Sequence, residues 1–263
     1  MKTIWPILPF IIFACASVKD NTFSFVQICD TQLGFGEYQR DIRNFEQAAK
    51  QINNLEVDFA VICGDLVNTA SDTAYLEFNR VRNTFTMPCH VAPGNHDVGN
   101  DPDSVSLAYY RSRVGKDYYM FRHKGRAFYL LNTQLWKAPV SGVSEKQDEW
   151  LVKCITDEQY LENHKFIIGH IPLFVEDPQE EEGYYSLPTE KRAELLQLFS
   201  ETNVKAILTG HTHKLVVNEY DGMVMVSGET TSKNFDKRPY GFRVWTVSED
   251  SVSHAFVALE MAK

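Results

Sequence analysis

No uninterrupted apolar run marks a membrane span in this 263-residue chain: the stretch from Ile4 to Ala16 is broken by Pro6 and Pro9 and falls short of the roughly 20 residues a spanning helix needs. Cysteine is scarce, at five residues, and neither a CxxC pair nor a Cys/His zinc spacing occurs, so neither a disulfide framework nor a zinc module is indicated. Cys29, Cys63 and Cys89 sit inside apolar runs and read as small core residues, while Cys154 falls in a helical stretch. Basic residues are outnumbered, 26 against 35 acidic ones, and the net charge of -9 argues against non-specific nucleic-acid binding. It leaves room for an anionic substrate, because bound divalent ions reverse the field locally. Internal repeats, low-complexity tracts and linker-like stretches are missing too, which leaves one sizeable domain as the simplest partition.

At the amino terminus, Lys2 followed by the apolar run reads as an export signal. Ala14-Cys15-Ala16 has the small-x-small pattern of ordinary cleavage, whereas Ile12-Phe13-Ala14-Cys15 resembles a bacterial lipobox that would lipidate Cys15. The expectation is a signal over residues 1–20, a single domain over 21–263, and an exported protein: secreted, periplasmic, or attached to a membrane through a lipidated Cys15.

From Thr22 the pattern is strand, helix, strand, helix, strand. Phe23 to Cys29 is β-rich, and Ile42, Phe45, Ala49 and Ile52 recur at helical spacing. Phe59 to Cys63 is a continuous apolar run of the kind buried on both faces. Helices are expected over Thr73 to Phe85, Asp103 to Val114 and Ser144 to Ile155, with a hairpin turned at Lys124-Gly125. Further strands fall at Phe166 to Ile168 and Ala206 to Leu208, with a helix between them opened by Pro188 in its first turn. Beyond His213 only strands follow, two of them joined by an Asp221-Gly222 turn. Mixed α/β with a closing run of strands predicts two packed sheets clad by helices.

Five apolar runs end in polar tips: Asp30-x-Gln32, Gly64-Asp65, Gly94-Asn95-His96-Asp97, Gly169-His170 and Gly210-His211-x-His213. Strand ends at a sheet's carboxyl edge are where open α/β folds place their sites. Asp, Asn and His together supply the mixed oxygen and nitrogen donors that suit Mn, Fe or Zn. Such a set is too large for one tetrahedral ion and about right for two ions sharing a carboxylate.

These blocks, in this order and spacing, resemble the calcineurin-like metallophosphoesterases, over nearly the whole chain after the signal. Val26-Gln27-x-Cys29-Asp30-Thr31-Gln32-x-Gly34, Cys63-Gly64-Asp65-Leu66 and His170-Ile171-Pro172-Leu173-Phe174 are similar to the serine/threonine phosphatase-like subgroup in particular. The resemblance implies a four-layer α/β/β/α sandwich of two mixed sheets. It implies a hydrolase of phosphomonoesters or phosphodiesters that binds two divalent or trivalent ions and acts through a metal-bridging hydroxide. By the same resemblance, Asp65 bridges the ions, Asp30 and His213 complete one site with Gln32 beside them, and Asn95, His170 and His211 complete the other. His96 would be the catalytic group at the phosphoryl oxygens or the leaving group, binding substrate together with Asn95, and Asp97 would hold the His96 imidazole. Most family members carry His where this chain has Gln32; an amide oxygen is the weaker ligand, so the first metal is expected to be held loosely. The competing expectation is a non-catalytic metal-binding scaffold with that first site weakened.

His90, His123, His164 and His254 fit no block and read as packing or surface residues. The acidic run Glu176 to Glu182 reads as a solvated loop, one loop beyond His170, with Tyr184, Tyr185 and Arg238 as candidates for the rim of a cleft.

Overall fold

In the computed structural model, which describes residues 21–157 and 164–260, side-chain alternation sets the layers. Along β1 (Phe23–Ile28) Phe23 and Phe25 join one buried cluster while Val26 and Ile28 join another. In β2 (Phe59–Cys63) Phe59, Val61 and Cys63 likewise part from Ala60 and Ile62. A strand whose two faces are both apolar must be covered on both, by a second sheet on one side and helices on the other.

The first sheet adds β3 (Cys89–Ala92), β10 (Gly241–Val247) and β11 (Val252–Ala258) in the order β11-β10-β1-β2-β3, with β1, β2 and β3 parallel. The second comprises β4 (Tyr119–His123), β5 (Arg126–Leu130), β6 (Lys165–Ile168), β7 (Val204–Thr209), β8 (Val216–Tyr220) and β9 (Met223–Ser227), ordered β4-β5-β6-β7-β9-β8. Strands β5, β6, β7 and β9 are parallel, and β4 and β8 close the edges antiparallel. Helices α1 (Tyr38–Ile52), α2 (Asp72–Arg82) and α4 (Ser104–Arg113) send Phe45, Phe78 and Leu107 onto the first sheet. Helices α6 (Ser144–Ile155) and α7 (Thr189–Glu201) send Leu151, Leu195 and Phe199 onto the second. The chain is therefore an α/β/β/α sandwich, as the pattern of elements implies.

Between the sheets lies an aromatic layer. Phe25 stacks on Phe59 with centroids 4.9 Å apart, Phe128 stacks on Phe166 at 4.7 Å, and Phe25 meets Phe128 edge-on at 5.5 Å. Burial and ring geometry both stabilise this layer, and truncating one such ring to Ala costs about 3–5 kcal/mol. One polar residue crosses it. Gln27 donates through Nε2 to the carbonyls of Thr209 and Val226, at 3.0 and 3.1 Å, and accepts through Oε1 from the Trp245 indole at 2.9 Å. That contact ties β1 to the far sheet close to where both carry their functional tips.

Several boundaries depart from the sequence reading. Pro188 is the N-cap of α7 and not a first-turn residue, because its ψ of 142° is extended. α2 stops at Arg82, where Asn83 caps it, short of Phe85. Two short helices, α3 (Asn95–Val98) and α5 (Gln134–Lys137), have too few residues to show a period. Lys124-Gly125 turns the hairpin with both φ angles positive, at 42° and 77°. Residues 1–20, expected to act as an export signal and including Cys15, lie outside the described residues. The four described cysteines are free thiols; Cys29 and Cys63 are buried, whereas Cys89 and Cys154 are partly exposed.

Candidate metal centre

Parallel strands bring their carboxyl ends to one edge, and here the loops after β1, β2, β3, β6 and β7 meet there. Reaching that point bends the backbone. Of the eight non-glycine residues with positive φ among those described, five are Asp30, Gln32, Asp65, His211 and His213. Left-handed conformations cost free energy for such residues, and they persist where surrounding structure forces them, typically at functional sites. Gly94 is obligatory for a related reason: a Cβ there would collide with both the carboxylate and the main-chain nitrogen of Asp65.

Two groups of donor atoms form, and both contain Asp65: Asp65, His170 and His211 in one, Asp30, Asp65 and His213 in the other, each with its atoms within 4.8 Å of one another. His170 Nε2 lies 3.3 Å from Asp65 Oδ2, 3.1 Å from Asn95 Oδ1 and 3.1 Å from His211 Nδ1. His213 Nε2 stands 3.5 Å from Asp30 Oδ1. Gln32 is fully buried in the same place, and its Oε1, like Asp30 Oδ2, has no hydrogen-bond partner.

Each imidazole is fixed by its other nitrogen. His170 Nδ1 is 2.8 Å from the Cys63 carbonyl, His211 Nε2 is 3.0 Å from the Tyr184 carbonyl, and His213 Nδ1 is 2.7 Å from the Lys233 carbonyl. A carbonyl can only accept, so each of those nitrogens carries the hydrogen, and the other nitrogen of each ring faces the cluster. That is the arrangement metal-ligating histidines use. The structure thus brings Asp30, Gln32, Asp65, Asn95, His170, His211 and His213 to one point, with their donor atoms turned toward one another.

His96 stands beside this cluster. Its main-chain N–H donates to Asp65 Oδ1 at 2.9 Å, and its Nδ1 is held by the Asn68 carbonyl at 2.8 Å, leaving Nε2 free. Asp97 is corrected. Its carboxylate does not hold the imidazole; it accepts from the amides of Gly94, at 2.8 Å, and Leu66, at 3.1 Å, and is buried. As the third residue of α3 it closes a capping contact back to Gly94, which positions the loop and touches no reacting group.

The family model for the calcineurin-like phosphoesterases matches residues 23–215. The chain belongs to that family. It is 30% identical to a serine/threonine-protein phosphatase, CPPED1, of Pongo abelii over 88% of its own length and 77% of the relative's. It is 27% identical to a 3',5'-cyclic adenosine monophosphate phosphodiesterase, CpdA, of Haemophilus influenzae over 73% of its length and 68% of that protein's. Among solved structures, a dimetal phosphatase from Danio rerio shares the fold, with a TM-score of 0.69 at 16% identity, covering 89% of this chain and 95% of that one. This phosphoesterase is accordingly a phosphoester hydrolase.

Charged groups at the centre of the phosphoesterase lie close enough to act strongly on one another. Burial raises the Asp65 carboxylate, but the adjacent His170 outweighs it and holds Asp65 below the usual range. Burial opposes charge on His170 as well, yet Asp65 and Asp30 bring it up to about 9. His211 is pushed down to about 3, by burial first and then by His170. Burial lifts Asp30 despite His213 and His170. Burial and the Asp65 charge push Asp97 up to about 8.

One structural element of the site has no signature in the sequence. Arg192 of α7, fully buried, donates to the carbonyls of Leu173, Pro178, Glu180 and Leu187 at 2.7–3.1 Å. Lys137 donates to the Ser186 and Gly183 carbonyls. Together they pin the loop that carries the Tyr184 carbonyl to His211. In a helix pattern Arg192 looks like any surface charge. Within the acidic run Glu180 organises the loop, accepting from the amides of Val175 and Glu176 at 3.0 and 2.8 Å, while Glu181 and Glu182 are exposed. Arg238 lies 3.7 Å from Glu229, which Arg243 holds at 2.8 Å, so its nearest partner is a structural ion pair.

Proposed function

We propose that the chain hydrolyses phosphoesters, phosphomonoesters first, at a centre for two metal ions. The carrying observation is Asp65, the one carboxylate common to both donor groups. The residues fit such ions: two buried oxygens, Asp30 Oδ2 and Gln32 Oε1, are unpartnered, and three imidazole rings, each fixed by a carbonyl at one nitrogen, turn the other nitrogen into the cluster. Asp30, Gln32 and His213 would hold one ion, Asn95, His170 and His211 the other, with Asp65 on both. Ions bound there supply Lewis-acid polarisation of phosphoryl oxygens and lower the pKa of water; the mixed donors suit Mn, Fe or Zn.

The chain's own residues do the rest. Asn95 donates through Nδ2 to Asn100 Oδ1 at 3.0 Å and to the Tyr184 hydroxyl at 3.3 Å, which turns its Oδ1 toward the cluster. His96, with Nδ1 committed to Asn68, has Nε2 available to hold a proton for the departing alkoxide or to donate to a phosphoryl oxygen. The phosphatase named among the relatives supports a monoester substrate. An exported location, from residues 1–20, is part of the proposal and is tested by fractionating cells that carry the wild type or Cys15→Ala; the acidic net charge supports a chain that does not bind nucleic acid.

The purified chain with Mn²⁺ should hydrolyse p-nitrophenyl phosphate, and Asn95→Ala or His96→Ala should abolish turnover. Absence of hydrolysis with Mn, Fe and Zn in turn would contradict the proposal.

A further inference from the structure

Eight large apolar side chains are exposed among the described residues, and three of them, Tyr184, Tyr185 and Phe235, gather at the metal centre. Phe235, 49% exposed, stacks on His213 with centroids 4.8 Å apart. Phe35, half-buried, stands 5.1 Å from His213, 6.0 Å from Phe235 and 6.1 Å from His96. On the other half, Tyr184 and Tyr185, 54% and 40% exposed, lie 4.9 and 5.6 Å from the His211 ring. Three loops far apart in sequence thus place aromatic rings on both halves of one donor cluster.

Isolated exposed aromatics are ordinary, but apolar surface gathered around a reactive site marks a face that a ligand covers. Support of the histidines does not account for the rings. His213 and His211 are already held by the carbonyls of Lys233 and Tyr184. Charge agrees, since the Lys233 ammonium lies 5.1 Å over the Phe35 ring, a cation beside an aromatic wall where an anionic ester would enter.

We propose that Phe35 and Phe235 on one side, and Tyr184 and Tyr185 on the other, form aromatic walls that select phosphoesters whose esterified group carries a planar ring. The selection rests on the hydrolase reading and names its substrate class. A ring seated against one wall gains a few-fold in affinity, and contact with both gives roughly tenfold.

The test uses pairs matched in leaving-group chemistry. With the Mn²⁺-loaded chain, 2-phenylethyl phosphate should show a KM roughly tenfold below that of propyl phosphate. The non-hydrolysable 2-phenylethylphosphonate should bind tighter than propylphosphonate by a similar factor in calorimetry. Phe235→Leu and Tyr185→Leu, which keep apolar bulk and lose the ring, should each bring both ratios down toward one. Phosphotyrosine and a nucleoside monophosphate then separate a phenol from a nucleobase, and either should show a lower KM than phosphoserine. Equal binding of the two phosphonates, or ratios unmoved in both variants, would overturn the proposal. Ring-selective phosphonate binding without hydrolysis of any ester would support the walls and refute the hydrolase reading, so the two failures are distinguishable.

Discussion

On one side of Asp65, the donor atoms of Asn95 and His211 each come within 3.1 Å of His170 Nε2. On the other, Asp30 and His213 stand 3.5 Å apart and Gln32 contributes an amide oxygen with no partner. The strap pinned by Arg192 and Lys137 reaches the first of these halves through the Tyr184 carbonyl. The half with Gln32 is held by the Lys233 carbonyl and by Asn68, whose Oδ1 is 3.5 Å from Gln32 Nε2. Geometry and donor chemistry point the same way. The His170 half has two imidazoles with set tautomers, whereas the Gln32 half has one, His213, and a neutral amide oxygen in place of a second, so an ion there should exchange more readily.

The largest effect should come from erasing what the halves share. Asp65→Asn should remove both ions and take hydrolysis below detection, as metal analysis and p-nitrophenyl phosphate turnover would show. His170→Ala should cost the ion of its half and lower kcat/KM by more than the roughly 10–100-fold typical of outer contacts to metal ligands, with the other ion still measurable. Gln32→His goes the opposite way: the affinity of the weaker half for Mn²⁺ should rise by about tenfold, read by competition with a chelator. If Gln32→His leaves both affinities unchanged, the contrast between the halves is wrong.

How far the sequence foretold this depends on which atoms do the work. Asp30, Asp65, Asn95, His96, His170, His211 and His213 stand out because side chains of those types recur at the ends of apolar runs, and the structure gathers them. The partners that set their tautomers are main-chain carbonyls of Cys63, Asn68, Tyr184 and Lys233, which carry no residue-type signature. Asp97 misled for a related reason. The family resemblance implied a carboxylate-imidazole pair with His96, but a one-turn helix directs the third residue back to its own N-cap. The sandwich itself was legible in runs such as Phe59 to Cys63, whereas α3 and α5 were too short to leave a periodic trace.

Two smaller effects sharpen the comparison. Asp97→Asn should lower stability by about 1–3 kcal/mol by leaving one of its buried amide donors without an acceptor, and should cost far less activity than Asp65→Asn, which thermal denaturation and rate measurements separate. His90 lies far along β3 from the centre and stacks on Phe121 at 3.8 Å, with burial pushing it down to about 4. Its folded pKa lies below the unfolded value near 6.5, so the unfolded chain takes up a proton that the folded ring refuses. Its contribution is therefore full above pH 6.5 and is lost as pH falls toward 4. His90→Phe should flatten that window by about 1–2 kcal/mol once solvent screening of the ring is included. A pH titration of denaturation midpoints checks it, and removes a background that would otherwise blur acid sensitivity of the two halves.

The central claim is that one carboxylate organises two metal ions into a phosphoester-hydrolysing centre. The most direct measurement is the metal content of the purified chain and of Asp65→Asn after equilibration with Mn²⁺, alongside their hydrolysis of p-nitrophenyl phosphate. Two equivalents with turnover in the wild type, and loss of both together in Asp65→Asn, is the predicted result. Full metal occupancy and undiminished hydrolysis in Asp65→Asn would contradict it.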